Sequence, residues 1–429
     1  MDARKGLRTA LLLVLIAALG ACGFARRVVR LEENRSEIAR NGVVAGAVQL
    51  DGVPIEQVEV VLLRVEYDGV QAVASSHVGE GGYFAFLVPQ QGRYALVAYH
   101  DRNGNGRADG DEASAGIGLP AGVEVGPGDE YMPCFALGKE ARPLHADLRS
   151  RLADVPAGMR SRLQLFAGRT AAIDDARFGR AFGAKGLWAP LDFVSELGIG
   201  VYFLEPYRAD RIPVLFVHGV GGYPQQWKQI VAGLDRKRFQ PWVYQYPSGM
   251  RLAHSGDTLA DLLQTLQREY GFSRMIVVAH SVGGLVSRQA IRRLAKTDPQ
   301  QPVMLFVTLS TPWGGDALAQ LGVSRSPVTI PSWQDIAPDS DFLRQLLKSP
   351  LPVPHQLFFG YRGSSMLVQG NSDGTIALAS QLAMPVQQGA VRVTGFDETH
   401  TSILGSRDVG GEINRALEQA VAADRLAGR

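Results

Sequence analysis

Two hydrophobic periodicities divide this chain. From Gly42 to about Ala136, short runs alternate apolar and polar positions between glycine-rich breaks: Val43–Leu50, Val58–Val65, Tyr83–Val88 and Tyr94–His100. Period-two alternation with closely spaced turn residues predicts a small antiparallel β-sandwich over 42–136. From Val201 onward the pattern changes to continuous apolar runs at about 201–205, 213–218, 241–246, 274–279, 303–309, 355–361 and 390–395, separated by helical stretches. Strands buried on both faces need no polar positions, so Met275–Ala279 and Val303–Leu309 read as central strands of a mostly parallel sheet. The expected fold class is therefore α/β over 201–429, preceded by an all-β domain. Residues 137–200 read as a connector with helical pieces at Ala146–Ala153 and Asp174–Phe182. Between Gly315 and Pro354 the chain is longer than a βα crossover requires, which predicts a cap or lid at about 315–354. Its Trp333, Ile336, Phe342 and Leu343 either line a groove or pack the cap onto the body.

One strand-to-helix junction carries chemistry. Met275–Ala279 runs into His280-Ser281-Val282-Gly283, and a helix with small residues at its start follows from Gly284. A serine on so sharp a turn has its hydroxyl held clear of the backbone, beside helix N-terminal amides that can meet developing negative charge. The pattern is G-x-S-x-G with Ala279 in place of the first glycine. Upstream, the strand Ile212–Val217 ends in His218-Gly219-Val220-Gly221-Gly222, where glycines let the backbone turn its amides inward. The N–H of Val220 or of its neighbour Gly219 is the expected first oxyanion donor, and that of Val282 the second. The Lys-Ser/Thr pair of a P-loop is absent, as is G-x-G-x-x-G, so phosphate binding finds no support in this loop.

An activated serine needs a base, and the base an orienting acid. Of the eight histidines, only His355 and His400 follow Ser281. His355 starts an apolar strand, whereas His400 lies on a loop between the last strand and the last helix. Asp373, in Asn371-Ser372-Asp373-Gly374, sits in a turn after the 355–361 strand and is the expected acid. Asp316 is the runner-up, and Asp397 is too near His400 in sequence to be preferred. His218 and His280, flanking the oxyanion turn and the serine, read as architectural. No H-E-x-x-H or zinc-ligand spacing occurs.

Together, Val217–Gly222, Ala279–Gly284, Leu309-Ser310-Thr311-Pro312-Trp313-Gly314-Gly315, Ser372-Asp373-Gly374 and His400 resemble the α/β-hydrolase superfamily in its lipase-like branch. Thr-Pro-Trp-Gly-Gly is similar to the segment after the sixth strand of bacterial triacylglycerol lipases and lecithin–cholesterol-acyltransferase-like enzymes. The resemblance covers roughly Val201 to Ala422 and implies a serine hydrolase acting on carboxylic esters of lipid or acyl type, through an acyl-enzyme and without a catalytic cofactor. An acyltransferase of the same fold, and a noncatalytic calcium-dependent binding or adhesion protein, remain open. Fold-level likeness does not convert into substrate identity.

Composition changes the picture little. The chain has 429 residues, 46% hydrophobic and 20% charged, with a formal net charge of +2. That balance argues against a nucleic-acid partner. The N-terminus matters more. Arg4, Lys5 and Arg8 precede a short apolar run, Thr9–Leu19, and then Leu19-Gly20-Ala21-Cys22. The run is too short to span a bilayer, so residues 1–21 read as a signal peptide. The tetrad resembles a bacterial lipobox, which implies a lipid-modified Cys22 and a place in the bacterial cell envelope. Gly23 fits outer-membrane sorting in a Gram-negative cell. The alternative is a plain signal peptide cut after Ala21. Residues 22–41, polar and charged, read as a tether or loosely docked segment.

Within the β-domain, Asp101-Arg102-Asn103-Gly104-Asn105-Gly106-Arg107-Ala108-Asp109-Gly110-Asp111-Glu112 matches the twelve-residue calcium pattern D-x-N-x-N-G-x5-E. Asp101, Asn103, Asn105, Asp109 and Glu112 offer side-chain oxygens, Arg107 a carbonyl, and Gly106 the sharp turn. A strand rather than a helix precedes it, so the loop resembles calcium loops inserted in prealbumin-like or B-type repeat domains of bacterial surface proteins. A structural Ca2+ is expected; the alternative is a metal-free hairpin loop.

Overall fold

In the computed structural model the described residues are 25–79, 82–131, 133–138, 144, 146–152, 161, 163–298, 301–326, 328–364 and 370–426. The expected signal peptide and Cys22 lie outside them.

The period-two alternation produces nine strands: β1 (Gly42–Asp51), β2 (Val58–Glu66), β3 (Gly69–His77), β4 (Tyr83–Val88), β5 (Gly92–His100), β6 (Ser114–Ile117), β7 (Val123–Val125), β8 (Glu130–Tyr131) and β9 (Cys134–Gly138). One sheet runs β4-β1-β8 with β9 also on β1; the other runs β3-β2-β5-β6 with β7 on β5. Val44, Phe84 and Phe86 of the first meet Val60, Leu62 and Leu96 of the second in a shared core. The sandwich departs from the all-antiparallel expectation, because β8 and β9 join β1 in parallel. The chain leaves β7 in one sheet and crosses to the other, instead of returning by a hairpin.

The continuous apolar runs produce the second sheet: β10 (Leu165–Thr170), β11 (Ile199–Phe203), β12 (Ile212–Val217), β13 (Phe239–Gln245), β14 (Met275–His280), β15 (Val303–Leu309), β16 (His355–Gly360) and β17 (Arg392–Phe396). Their order is β10-β11-β13-β12-β14-β15-β16-β17. From β12 to β17 every neighbouring pair is parallel; β11 meets β13 antiparallel, and β10 follows β11. Alternate residues of each strand feed opposite faces. Leu215, Val217, Trp242 and Val277 face the helices Leu252–Tyr270 and Gly283–Thr297. Val214, Phe216, Val243 and Ile276 face the terminal helix Arg407–Leu426. This is the α/β-hydrolase architecture, with the sheet covered on both faces.

Two segments differ from their sequence reading. The sheet takes its first strand, β10, from inside 137–200, the expected connector. Only Leu165–Ala167 of that strand is buried, and Gly168-Arg169-Thr170 breaks the apolar run that would have marked it. The expected tether at 22–41 is helical over residues 25–40. Leu31 and Asn34 are its fully buried positions, a stripe too narrow to register as amphipathic. The Asn34 Oδ1 accepts from the N–H of Leu191 (2.9 Å) and Asp192 (3.2 Å), orphan donors in the first turn of the helix Pro190–Leu197. Arg30 pairs with the Asp192 carboxylate at 2.6 Å.

The β-sandwich rests on the helix Leu252–Tyr270. There the buried Tyr83 hydroxyl donates to the Asp261 carbonyl at 3.0 Å and bonds Thr265 Oγ1 at 2.7 Å. In the cap, the helices Ala317–Arg325, Pro331–Ile336 and Asp341–Leu347 lie close to the body. Ile336 and Leu343 are buried in its core, with Trp333 and Phe342 half-buried against it. Among the described residues no helix is long and apolar enough to cross a membrane.

Candidate active site

Four turns at the C-terminal ends of β12, β14, β16 and β17 converge beside the point where strand order reverses, the usual crevice of an open α/β sheet. Ser281 follows β14 directly. It adopts φ +54°, a left-handed conformation costly for a residue with a Cβ, and its N–H donates to the Leu309 carbonyl of β15 at 2.8 Å. The turn closes tightly because Gly283 has no side chain: a Cβ there would lie 2.5 Å from the His218 carbonyl oxygen and 2.6 Å from that of Val217. Strand, strained serine and helix form the elbow that the sequence pattern suggests.

The structure brings Ser281, His400 and Asp373 together across 119 and 27 residues of chain. The Ser281 hydroxyl lies 3.0 Å from His400 Nε2, and His400 Nδ1–H donates to Asp373 Oδ2 at 2.7 Å. Burial raises the affinity of the Asp373 carboxyl for its proton. The hydrogen bond and charge of His400, with the N–H groups of Ile376 and Thr375, outweigh burial and hold that carboxyl below its ordinary value. Those two amides donate to Asp373 Oδ1 at 2.7 and 3.0 Å, leaving Oδ2 for the imidazole. The backbone adds a clamp: His400 N–H donates to the Asp373 carbonyl at 2.8 Å.

The remaining candidates for the relay are engaged elsewhere. Asp316, the runner-up acid, caps the helix Ala317–Arg325 by accepting from the Leu318 N–H at 2.9 Å; burial pushes its carboxyl up. His355 lies within β16, with its Nε2 2.9 Å from Thr308 Oγ1; burial lowers it to about 3. His280 points its Nε2–H at the His400 carbonyl oxygen (2.7 Å), and burial, then the nearby His400, lower it to about 3. His218 is lowered to about 4 by burial. Both rings are neutral at neutral pH and brace the loops on either side of Ser281.

The turn Gly219–Gly222, expected to supply an oxyanion donor, lies against the serine. A Cβ on Gly219 would sit 2.7 Å from the Ser281 Cβ and 3.1 Å from its Oγ, so only glycine permits this approach. Among the described residues, no protein acceptor engages the N–H of Val220 or of Val282. Two residues that sequence reasoning missed hold this turn, Tyr246 and Ser248. They follow β13 in a polar stretch with no motif, so only their three-dimensional contacts reveal them.

The loop Asp101–Glu112 connects β5 to β6. Asp101 accepts from the N–H of Asn105 (3.0 Å) and Gly106 (2.8 Å), and Glu112 from those of Arg102 (2.8 Å) and Asp109 (2.9 Å). The Asn103 and Asn105 amides donate to Asp109 Oδ2 at 2.7 and 2.9 Å, and the Asn103 bond chiefly holds that carboxyl below its ordinary value. Among the described residues, no group of three or more His, Cys, Asp or Glu side chains surrounds a common metal position. The donor set itself, three carboxylates, two amide oxygens and the Arg107 carbonyl, is all-oxygen and suits a hard cation.

Residues 214–334 match the family model described as "Putative serine esterase (DUF676)". No curated protein matches the chain. Solved structures that resemble it include the mature Bacillus licheniformis lipase BlEst2, at 19% identity over 51% of this chain and 97% of that one, with a TM-score of 0.41. Phospholipase PlaB from Legionella pneumophila is 18% identical over 40% of this chain and 45% of its own, TM-score 0.36. Aspergillus fumigatus lipase B is 17% identical over 48% of each chain, TM-score 0.34. The family match thus covers the segment from β12 through the helix Gly283–Thr297 and into the cap, less than half of the chain.

Proposed function

We propose that this protein is a serine hydrolase of carboxylic esters, with lipid or acyl esters as its substrate class. The observation that carries this reading is the continuous relay of 3.0 and 2.7 Å from Ser281 through His400 to Asp373. Ser281 Oγ bonds to the ester carbonyl carbon as His400 Nε2 takes the hydroxyl proton. The carbonyl electron pair moves onto oxygen, where the N–H groups of Val220 and Val282 receive it. Asp373 holds the imidazole in the tautomer that leaves Nε2 free, and it stabilises the imidazolium. Collapse of the adduct breaks the ester C–O bond, and the proton on His400 departs with the alcohol. Water then attacks the acyl-enzyme in the same manner, releasing the carboxylic acid and restoring the Ser281 hydroxyl. A fluorophosphonate should label the wild type stoichiometrically and leave Ser281→Ala unlabelled; labelling of that variant refutes the assignment.

We propose two further features, at the N-terminus and in the β-domain. The lipobox-like Leu19-Gly20-Ala21-Cys22 supports export and lipid anchoring at Cys22 in the bacterial envelope. Each buried methylene adds about 0.8 kcal/mol, so a multi-acyl anchor holds firmly. Radiolabelled fatty acid should enter the wild type and not Cys22→Ser; equal incorporation rejects anchoring. The all-oxygen donor set of Asp101–Glu112 supports a structural Ca2+ that stiffens the hairpin loop. Calcium added to chelator-stripped protein should raise the melting midpoint, and an unchanged midpoint rejects it.

A further inference from the structure

The turn Gly219–Gly222 is closed by the Gly222 N–H donating to the Gly219 carbonyl at 3.0 Å. Its third residue, Gly221, has φ +62°, while Val220, its second, is not among the residues with positive φ. That combination is a type II turn. Types I and II differ by a rotation of roughly 180° in the central peptide, and glycine at the third position tolerates both. The central peptide here joins Val220 to Gly221. Its orientation decides on which side the Val220 carbonyl and the Gly221 N–H lie, immediately beside the Val220 amide assigned to the oxyanion.

Something must select one orientation, and the segment after β13 is built to do so. Ser248 is buried (1% exposed), and its Oγ accepts from the Gly221 N–H at 2.8 Å. Two residues earlier Tyr246, equally buried, donates its hydroxyl to the His218 carbonyl at 2.7 Å. Ser248 thus grips the central peptide of the turn, and Tyr246 the carbonyl that leads into it. Neighbouring backbone holds the gripping segment in turn: the Gly249 N–H donates to the Gly186 carbonyl at 2.9 Å, and the Gly249 carbonyl accepts from Ser332 of the cap at 3.3 Å.

We infer that Ser248 is a positioning residue for the reaction, a latch that fixes the Val220–Gly221 peptide in the orientation that keeps the Val220 N–H available to the oxyanion. This rests on the hydrolase reading above. It touches no reacting atom and acts through the turn alone.

Steady-state hydrolysis of a nitrophenyl butyrate ester and inhibition by an alkyl trifluoromethyl ketone, which forms a tetrahedral oxyanion on the serine, test it together. For Ser248→Ala, kcat should fall about tenfold, in proportion to one selecting hydrogen bond, with KM within about twofold. The ketone Ki should rise by the same factor as kcat falls, and Ser248→Thr, which keeps the hydroxyl, should recover most of both. A change confined to melting temperature, with kcat and Ki at wild-type values, overturns the latch. Should Ser248→Ala not fold, Ser248→Cys keeps the size and weakens the acceptor; intermediate losses support the latch and wild-type constants overturn it. Fluorophosphonate labelling of Ser281→Ala would instead refute the assignment of Ser281, and no labelling of the wild type the hydrolase reading itself, so these failures are separable from that of the latch.

Discussion

The two turns proposed as nucleophile elbow and oxyanion turn meet at Ser281, yet they are held in different ways. The elbow is held by backbone: β14 before it, the helix Gly283–Thr297 after it, the Leu309 carbonyl of β15 that accepts from the Ser281 N–H, and a glycine whose missing Cβ lets it close on the end of β12. The oxyanion turn is set from outside, by Tyr246 and Ser248 arriving from another strand. A turn fixed by backbone contacts with the central strands tolerates change in distant side chains. A turn gripped by distant side chains is sensitive to every element that carries them.

The relay that both turns serve should show the largest effects. Ser281→Ala should lower kcat by about 10⁶-fold in nitrophenyl ester assays, since members of such a relay act as a unit. Asp373→Asn should cost about 10⁴-fold at unchanged folding, because the amide would turn the imidazole to the wrong tautomer. Circular dichroism beside the kinetics separates this from unfolding.

Acidification tests the two turns together. His218 at about 4, and His280 and His355 at about 3, stand below the 6.5 of the unfolded chain. The unfolded state therefore binds more protons in that window. Stability should be fully present above pH 6.5 and fall as the pH drops towards 4, by roughly 1.4 kcal/mol per pH unit for each histidine. Asp373 has the same sign: its carboxyl is depressed, so its contribution is lost only as the pH falls below the ordinary carboxylate range. Denaturant melts at pH 7, 6 and 5 should show the slope; a flat profile contradicts burial as the force on these rings.

Smaller changes separate the turns from each other. Gly283→Val places a branched side chain 2.5 Å from the His218 carbonyl and should destabilise by about 1–3 kcal/mol while abolishing turnover. Tyr246→Phe removes one buried hydroxyl bond and should cost about 1 kcal/mol in denaturant melts, with kcat falling and KM held. Equal stability and kcat in that variant would mean that the oxyanion turn, like the elbow, is held by backbone alone.

What could be read along the chain follows the same division. Strands β12, β14 and β15 announce themselves because parallel strands buried on both faces leave few polar positions, and Ser281, Asp373 and His400 fall in an order that elimination could find. Strand β10 does not, since its apolar run ends at Gly168. Helix 25–40 does not, since it docks through a buried asparagine that recognises another helix's first turn. Ser248 is illegible in principle: an isolated serine in a turn has meaning only through the peptide it meets 27 residues away.

The central claim is that an ester's acyl group passes through Ser281. Acid quenching during the pre-steady-state burst with a nitrophenyl ester, followed by peptide mass spectrometry, tests it directly. An acyl mass on the peptide containing Ser281, equal in amount to the burst and absent from Ser281→Ala, is the predicted result. A burst whose acyl group resides on another residue, or turnover that survives in Ser281→Ala, would contradict the account.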